Sequence, residues 1–328
     1  LHHHDSYEVT TFRTEGTYQD FRHPDSVTFV RSLEEDLMRR DFTINALAVN
    51  DKEEIVDYFG GIEDLEREII RCVGNPLERF NEDALRMMRA VRFAGQLGFS
   101  IESDTFNAIR TLKANLERVA VERMKVEFEK MILSPHRTLS FKAFVESDLY
   151  HSCPDFKEAK ETLLKLGEFP LEKMTITQAW ILFAYYERLS IPQLRKVLKN
   201  WKSSNDQIST ILTGYQTLLA RLEKEWDAFL AYECPEVLAI EVEQLLPGIG
   251  HSEQLVELEK VYQQLPIRSM KDIQIDGFGV KEALGLEKMG PIIGEVLQAL
   301  QTEILSGRLP NENAEIVSWI RNNFNESK

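Results

Sequence analysis

Residues 82–92 (EDALRMMRAVR) carry charged side chains at a spacing that could read a nucleotide. On a helix, Asp83, Arg86, Arg89 and Arg92 would follow one another at intervals of three along one slowly rotating face. An ionised aspartate only accepts hydrogen bonds, and an arginine only donates them. Asp83 and Arg86 therefore match the amino donor and the ring-nitrogen acceptor of cytosine and adenine. Guanine and uracil present the reverse pattern and would leave two site groups unpaired, which is how large discrimination arises.

Two further features suit a nucleotide. Arg89 and Arg92, farther along the same helix, would face a triphosphate, an anion that guanidinium groups bind well. Residues 39–46 (RRDFTINA) form a second polar cluster. Each pattern also has an ordinary structural explanation, namely a surface helix with one Asp–Arg pair and a helix C-terminus with basic residues on its dipole.

The elements expected around these residues form a small α+β head followed by a long all-helical region. Residues 7–12 (YEVTTF) predict a strand, and residues 13–31 predict a long polar loop. Ser32 and Glu35 form a capping box for a helix that continues to Arg40. Further strands are expected at 46–49, 55–59 and 69–73, and helices at 82–97, 103–114, 121–133 and 136–147.

Together, these segments resemble one enzyme family. The runs RRDFTINA (39–46), FGGIEDL (59–65) and RFNEDALRMMRAVRF (79–93) are similar to motifs of the class II tRNA nucleotidyltransferases and bacterial poly(A) polymerases. Several motifs in the same order rarely coincide by chance. The resemblance implies a nucleotidyltransferase head, a small mixed sheet with helices, followed by a helical neck, body and tail. We expect these domains at residues 1–73, 74–147, 148–245 and 246–328.

The resemblance also implies an activity, the template-independent addition of nucleotides to RNA 3′ ends. Within the family we expect the addition of C, C and A to the 3′ end of tRNA from CTP and ATP, with release of pyrophosphate. The residues implied to bind ATP and CTP are Arg40, Asp83, Arg86, Arg89 and Arg92. Asp41 and Asn45 would hold the ribose and shape the pocket, and Glu82 would orient the Asp83–Arg86 pair. Glu8, within residues 7–12, resembles the catalytic carboxylate that lies beside the metal-binding pair.

One motif of the family does not occur in this sequence. Phosphoryl transfer of this kind uses two Mg²⁺ ions, which the family holds with an Asp-x-Asp motif ahead of the strand equivalent to residues 7–12. No Asp-x-Asp is found here, and Glu8 cannot hold two metal ions alone. We therefore expect an N-terminally incomplete head, with the Mg²⁺ ligands upstream of this chain. The complete protein should be an enzyme, and this chain alone should be inactive.

Composition narrows the partners. With 39 basic and 54 acidic side chains the chain has a net charge of −15, which argues against non-specific coating of nucleic acid. Residues 61–142 are close to neutral, so tRNA should meet the middle of the chain first. Three scattered cysteines and the lack of a long apolar run indicate a cytoplasmic protein with no membrane span. A homodimer is a family-level expectation.

Alternative functions stay open at this point. A CC-adding enzyme typically lacks a flexible loop after the strand equivalent to residues 7–12. Residues 13–24 (RTEGTYQDFRHP), which correspond to that loop, are intact here. A bacterial poly(A) polymerase usually carries a basic C-terminal extension, whereas residues 143–328 contain 19 basic and 28 acidic side chains. Both observations favour full CCA addition over a poly(A) polymerase or a CC- or A-adding enzyme. Outside the family, the alternative is a non-catalytic RNA-binding protein that lacks the metal site.

Overall fold

The computed structural model describes residues 11–15, 27–29 and 31–324. Glu8 and most of the strand expected at 7–12 lie outside these residues. The chain divides into two compact units, Leu1–Ile208 and Ser209–Lys328. The four domain boundaries expected from the sequence therefore stay a prediction. Within the described residues, none of the helices is long and apolar enough to cross a membrane.

The first unit contains the strands and most of the helices around the nucleotide motifs. Its strands are β1 (Arg13–Glu15), β2 (Val27–Phe29), β3 (Leu47–Val49), β4 (Ile55–Asp57), β5 (Ile69–Ile70) and β6 (Ser100–Ile101). Its helices are α1 (Leu33–Met38), α2 (Gly61–Glu66), α3 (Pro76–Glu82), α4 (Leu85–Leu97), α5 (Ser103–Leu112), α6 (Val121–Ile132), α7 (Arg137–Glu146), α8 (Lys160–Glu168), α9 (Ile176–Tyr186) and α10 (Ile191–Asn200).

The remaining described residues are helical. Helix α11 (Asn205–Glu223) begins in the first unit and continues into the second. The second unit then contains α12 (Ala228–Glu233), α13 (Glu236–Glu243), α14 (Leu255–Gln264), α15 (Gly277–Ala283), α16 (Ile292–Leu305) and α17 (Asn313–Phe324). Its core is formed by branched aliphatic side chains such as Val280, Leu300 and Ile316, each fully buried.

The strands pair two by two. Strands β1 and β2 are antiparallel, β3 and β4 are antiparallel, and β5 and β6 are parallel. The α+β class expected from the sequence is confirmed, although the described strands form three separate pairs instead of one mixed sheet. The prediction of a loop over residues 13–31 is wrong for the six residues of β1 and β2. Strand β6 was not expected, because two residues carry no periodic pattern.

Most helix predictions are confirmed, with one informative exception. Helices α5, α6 and α7 match the expected segments within two residues at each end. The single helix expected at 82–97 is wrong, because α3 ends at Glu82 and α4 begins at Leu85. Asp83 between them has extended backbone dihedral angles, and its Oδ1 accepts from the amide of Leu85 at 3.1 Å. A short polar residue that bonds the backbone in this way favours helix ends over helix interiors.

The core of the first unit is built around aromatic rings. Phe128 of α6 lies 5.0 Å from Phe156 and 5.1 Å from Trp201, measured between ring centroids. Trp180 of α9 packs against the same ring at 5.8 Å. These side chains are fully or almost fully buried, so α6 is held firmly against the rest of the unit. This matters for the site, because α6 contributes residues that contact the nucleotide motifs.

Helix α4 packs closely against α7 at Gly95. A Cβ atom at position 95 would lie 1.9 Å from Ser140 Oγ and 2.9 Å from Ser140 Cβ, well inside van der Waals contact. Ser140 Oγ also donates to the carbonyl of Val91 at 3.0 Å, so the serine is tied to α4. The absence of a side chain at position 95 therefore allows the two helices to approach.

We expect Gly95→Ala to destabilise the protein by about 1–3 kcal/mol, the usual cost of adding a methyl group to a packed contact. The double variant Gly95→Ala/Ser140→Gly should recover part of this loss, because it removes the atoms that the new methyl group meets. Urea unfolding of both variants measures the difference. A single variant as stable as the wild type would contradict the close α4–α7 contact.

Candidate nucleotide-binding site

A polar cavity of about 480 Å³ lies between the turn after α1 and helix α4. The residues that line it are Arg39, Arg40, Asp41, Asn45, Asp83, Arg86, Arg89 and Phe93. Two segments that are about forty residues apart in the sequence thus form one wall each. The cavity combines four guanidinium groups with two carboxylates, a composition suited to an anionic ligand that also carries hydrogen-bonding groups.

The turn of residues 41–45 is fixed by Asp41. Its Oδ1 accepts from the amide of Phe42 at 2.9 Å and from Asn45 Nδ2 at 3.0 Å. Phe42 is fully buried and packs edge-on against Phe93 of α4, with ring centroids 5.7 Å apart. Arg40 donates from Nη1 to the carbonyl of Asn45 at 2.9 Å. The polar residues therefore face the cavity because the aromatic ring between them is anchored in the core.

The same turn is supported from behind by α2. Thr43 Oγ1 donates to Asp64 Oδ2 at 2.7 Å, and Asp64 forms an ion pair with Arg71. Gly61, at the start of α2, lies directly against the carbonyl of Thr43. Asp57 holds this start of α2, because its carboxylate accepts from several amides including that of Gly61 at 3.0 Å. Burial alone would raise the pKa of Asp57, but these amides hold it below its ordinary value.

Glu82 binds two arginines that also reach the end of α1. Its carboxylate accepts from Arg79 Nη2 and, at 2.7 Å, from Arg86 Nη1. Arg79 donates to the carbonyl of Met38 at 3.2 Å, and Arg86 Nη2 donates to that of Arg39 at 2.8 Å. Both carbonyls belong to the C-terminus of α1, where cations are favourable. Glu82 therefore joins the two walls of the cavity through Arg79 and Arg86, and it does not line the cavity itself.

Asp83 is paired with an arginine of α6. Arg123 Nη2 donates to Asp83 Oδ2 at 2.7 Å, while Asp83 Oδ1 accepts from the amide of Leu85. The sequence pattern placed Asp83 beside Arg86, and both do line the cavity. The residue that holds the Asp83 carboxylate, however, is Arg123, forty residues away. The spacing of charged residues within 82–92 gave no signal for this partner, because Arg123 lies on another helix.

Arg89 and Arg92 lie in different environments. Arg89 donates to Asp41 Oδ2 from Nε at 2.8 Å, and its side chain is 32% exposed. Arg92 is buried, donates from Nε to Glu127 Oε2 at 2.6 Å and also donates to Gln96. Its guanidinium carbon lies 3.8 Å from the centroid of the Phe93 ring. Arg92 thus packs beneath the cavity wall, and a direct contact with a triphosphate would require it to leave a buried carboxylate.

The structure therefore brings six of the residues predicted from the sequence together in the lining of the cavity, and two others do not line it. The six are Arg40, Asp41, Asn45, Asp83, Arg86 and Arg89, and the two are Glu82 and Arg92. Arg39 and Phe93 line the cavity without having been assigned a role. Both were part of the quoted motifs, so their position next to assigned residues was the available signal. Glu8, the remaining predicted residue, lies outside the described residues.

The described side chains do not form a site for the expected Mg²⁺ ions. Within residues 11–15, 27–29 and 31–324, no group of three or more His, Cys, Asp or Glu side chains could hold a metal ion. The two carboxylates of the cavity are each bonded to a guanidinium group instead. Cys72, behind the cavity, is buried, and burial raises the pKa of its thiol to about 12. The thiol is therefore uncharged at neutral pH and supplies no nucleophile.

Four of the eight basic residues between positions 101 and 142 are exposed, and the other four are at least partly buried. Arg123 faces Asp83, Arg137 is buried and donates to the carbonyls of residues 169–172, and Lys125 bonds Gln207 at 2.6 Å. Lys113 is half-buried and paired with Asp148 at 2.8 Å. The exposed members are Arg110, Arg118, Lys130 and Lys142.

Three segments of the chain match described protein families. Residues 1–71 match the Poly A polymerase head domain, and residues 98–160 match the family described as probable RNA and SrmB-binding site of polymerase A. Residues 171–320 match the family described as tRNA nucleotidyltransferase domain 2, putative. The fold and the site therefore define a nucleotidyltransferase with a polymerase-type head and a helical remainder.

Comparisons with individual proteins make the assignment more specific. The chain is 42% identical over 316 residues to the CCA-adding enzyme of Enterococcus faecalis, covering 96% of this chain and 78% of that protein. The identity and both coverages are the same for the CCA-adding enzyme of Anoxybacillus flavithermus. The crystal structure of the Bacillus stearothermophilus CCA-adding enzyme in complex with CTP superposes with a TM-score of 0.86, at 32% identity over 97% of this chain and 79% of that chain. The protein belongs to the family of CCA-adding enzymes.

Proposed function

We propose that this protein adds C, C and A to the 3′ end of tRNA, using CTP and ATP and releasing pyrophosphate. The observation that carries the proposal is the cavity itself, which sets an acceptor, Asp83, and a donor, Arg86, on the wall opposite Arg40 and Asp41. One pair of groups suits the edge of a base, and the other suits the sugar and phosphates. The family membership and the CTP complex of the Bacillus stearothermophilus relative support the same function.

Asp83 and Arg86 keep hydrogen-bonding capacity for a base. The bonds of Arg86 to Glu82, Arg79 and Arg39 account for three of its five N–H groups. The bonds of Asp83 to Leu85 and Arg123 account for two of about four lone-pair positions. Cytosine and adenine can therefore donate an amino group to Asp83 and accept at a ring nitrogen from Arg86. Uracil and guanine would set donor against donor and acceptor against acceptor.

Arg40 and Arg89 are the proposed phosphate-binding residues. Arg40 is the more available, because its side chain is 44% exposed and its Nη2 lies 4.0 Å from Asp36. Arg89 is 32% exposed and paired with Asp41. For Arg92 we propose a supporting role, since it is held beneath Phe93 by Glu127. Guanidinium groups bind phosphates through paired N–H donors, which also fixes the direction of the triphosphate.

The remaining parts of the proposal concern metal, location and assembly. Transfer of a nucleotidyl group is expected to need Mg²⁺ to activate the 3′ hydroxyl and to hold the departing pyrophosphate. No metal ligand is proposed among the described residues, and Glu8, the proposed catalytic carboxylate, lies outside them. We propose a cytoplasmic location, which the three scattered cysteines favour, and a homodimer as a family-level expectation. Sedimentation of the purified protein would test the homodimer.

Equilibrium dialysis with all four nucleoside triphosphates tests the proposed function. CTP and ATP should bind at least about 100-fold more tightly than UTP and GTP, because two mismatched polar contacts cost about 3 kcal/mol together. Arg40→Met should weaken the binding of CTP, whereas Arg110→Met, an exposed arginine outside the cavity, should not. ATP binding without CTP binding would favour a poly(A) polymerase. RNA binding without binding of CTP or ATP would favour a non-catalytic RNA-binding protein.

The full-length gene product should then add C, C and A to a tRNA transcript that lacks its terminal CCA. Denaturing gels resolve each added nucleotide, so partial activities are distinguished directly. Addition of C alone or of A alone would assign a CC- or A-adding enzyme. Untemplated addition of many adenosines would assign a poly(A) polymerase.

A further inference from the structure

Both oxygens of the Asp41 carboxylate are occupied. Oδ1 accepts from the amide of Phe42 and from Asn45 Nδ2. Oδ2 accepts from Arg89 Nε at 2.8 Å, and Arg89 Nη2 lies 2.6 Å from the same oxygen. These bonds fill three of the about four lone-pair positions of an ionised carboxylate. The guanidinium group of Arg89 covers the rest of Oδ2, so a ribose hydroxyl that donates to this oxygen must displace Arg89.

Arg89 is the donor that can be replaced. The amide of Phe42 and the side chain of Asn45 belong to the same tight turn as Asp41, and Phe42 is fully buried. Arg89 comes from the opposite wall and is 32% exposed. Its second carboxylate neighbour, Glu127, is 3.8 Å away and is already bonded to Arg92. Arg89 can thus move toward the cavity without leaving the fold of α4.

The same contact limits Arg89 as a phosphate-binding group. Its Nε donates to Asp41 Oδ2, and its Nη2 lies 2.6 Å from the same oxygen. A phosphate that binds to this Nε–Nη2 edge of the guanidinium group must displace Asp41. The ribose hydroxyl and the phosphate therefore both require the same ion pair to break.

On the basis of the proposed function, we propose that Arg89 and Asp41 exchange partners when a nucleoside triphosphate binds. Arg89 turns to a phosphate, and Asp41 accepts from a ribose hydroxyl. A nucleoside triphosphate breaks the ion pair once and gains both contacts. A ribose or a phosphate that binds alone breaks the same ion pair and gains only one contact. The site thereby selects ligands that carry ribose and phosphates together. Arg89 and Asp41 determine this selectivity as a coupled pair and not as two independent contacts.

The exchange predicts that two variants bind fragments of the substrate more tightly than the wild type does. Asp41→Asn replaces one carboxylate oxygen with an amide NH2 group and removes the charge that holds Arg89. This variant should therefore bind inorganic pyrophosphate more tightly than the wild type. Removing the guanidinium releases Asp41, so Arg89→Met should bind cytidine more tightly than the wild type. Each gain should be about fivefold, the scale of a partly exposed ion pair. Both variants should bind CTP more weakly, because each has lost one of the two contacts.

The measurement is competition of pyrophosphate, cytidine and CTP against radiolabelled CTP in equilibrium dialysis. Arg40→Met is the matched control, because Arg40 lines the same cavity but lies 4.0 Å from Asp36 and has no bond to Asp41. It should lose affinity for pyrophosphate and gain none for cytidine. Thermal unfolding verifies that each variant is folded. If Arg89→Met does not fold, the pyrophosphate affinity of Asp41→Asn tests the exchange alone. A gain supports the exchange, and a loss or an unchanged affinity overturns it.

The outcomes separate the exchange from the proposed function. A gain of pyrophosphate affinity in Asp41→Asn, or of cytidine affinity in Arg89→Met, supports the exchange. Losses or unchanged affinities for both fragments, with CTP still bound by the wild type, overturn the exchange and leave the nucleotide site intact. Failure of the wild type to bind CTP overturns the proposed function and the exchange with it.

Discussion

The double variant Asp83→Asn/Arg86→Gln should lose the preference for CTP over UTP, with the ratio of the two affinities falling by about 100-fold or more. Asn carries an amide donor as well as an acceptor where Asp83 only accepts, and Gln carries an oxygen acceptor as well as a donor where Arg86 only donates. Uracil therefore no longer meets the two opposed polar groups that it faces in the wild type, each of which costs about 1–3 kcal/mol when buried. Cytosine at the same time loses the two charged partners that favour it.

The structure shows which side effects must be separated from base reading. Arg86 also donates to the carbonyls of Arg39 and Arg79 and to Glu82, so its replacement weakens the connection between the cavity walls. Arg79→Gln is the matched control, because Arg79 binds the same Glu82 and the carbonyl of Met38 but does not line the cavity. The control should lower the free energy of unfolding and leave the CTP to UTP ratio unchanged.

Dialysis with CTP, UTP, ATP and GTP gives the affinities, and circular dichroism verifies the fold. A double variant that is folded and keeps the wild-type ratio would remove Asp83 and Arg86 from base recognition. A control that changes the ratio as strongly as the double variant would assign the effect to the geometry of the walls. Only a change confined to the double variant supports direct reading of the base.

Arg89 and Arg92 illustrate how far the site could be predicted from the sequence. Spacing placed both on one face of a helix together with Arg86, and all three do lie on α4. Spacing cannot tell how deeply each residue is buried. Arg92 is buried because Glu127, on α6, reaches it at 2.6 Å, and this partner is 35 residues away in sequence. The depth of a side chain is decided by which helix packs opposite, and no local pattern records that.

Asp83 illustrates the opposite limit. Its chemistry, an acceptor next to a donor, was readable from the residue types alone, and it does line the cavity with Arg86. Its backbone was mispredicted, because helix propensity favoured one continuous helix through residues 82–97. Instead, Asp83 bonds the amide of Leu85 and receives Arg123, and these contacts stabilise a break. Local propensity is a weak prior that such tertiary contacts readily override.

Gly61→Ala should be among the most damaging single substitutions behind the cavity, costing about 3 kcal/mol, at the upper end for overpacked contacts. A Cβ atom at this position would lie 2.3 Å from the carbonyl oxygen of Thr43 and 2.9 Å from its carbonyl carbon. Both are backbone atoms, so no side-chain rotation relieves the clash. One of the two segments must move by about 1 Å to restore van der Waals contact.

Neither segment is free to move. The amide of Gly61 donates to Asp57 Oδ1 at 3.0 Å, which ties the start of α2 to the end of β4. On the other side, Thr43 Oγ1 donates to Asp64 Oδ2 at 2.7 Å, and the amide of Thr43 donates to the carbonyl of Arg71 at 3.0 Å. The strain therefore passes into the turn that ends at Asn45, whose side chain holds Asp41. Because a binding group is effective only within about 0.5 Å of its place, CTP affinity should fall at least about tenfold as well.

Gly60→Ala provides the matched control at the neighbouring position. Gly60 has a φ of +76°, but a Cβ atom there meets nothing within 4 Å. The control should therefore cost only the strain of a left-handed residue, about 1–2 kcal/mol, and leave CTP affinity unchanged. Urea unfolding and CTP dialysis of both variants measure the two effects. If Gly61→Ala is no worse than Gly60→Ala in both measurements, the turn of residues 41–45 does not depend on the close approach of α2, and the position of Asp41 and Asn45 must be fixed by the contacts with α4 alone.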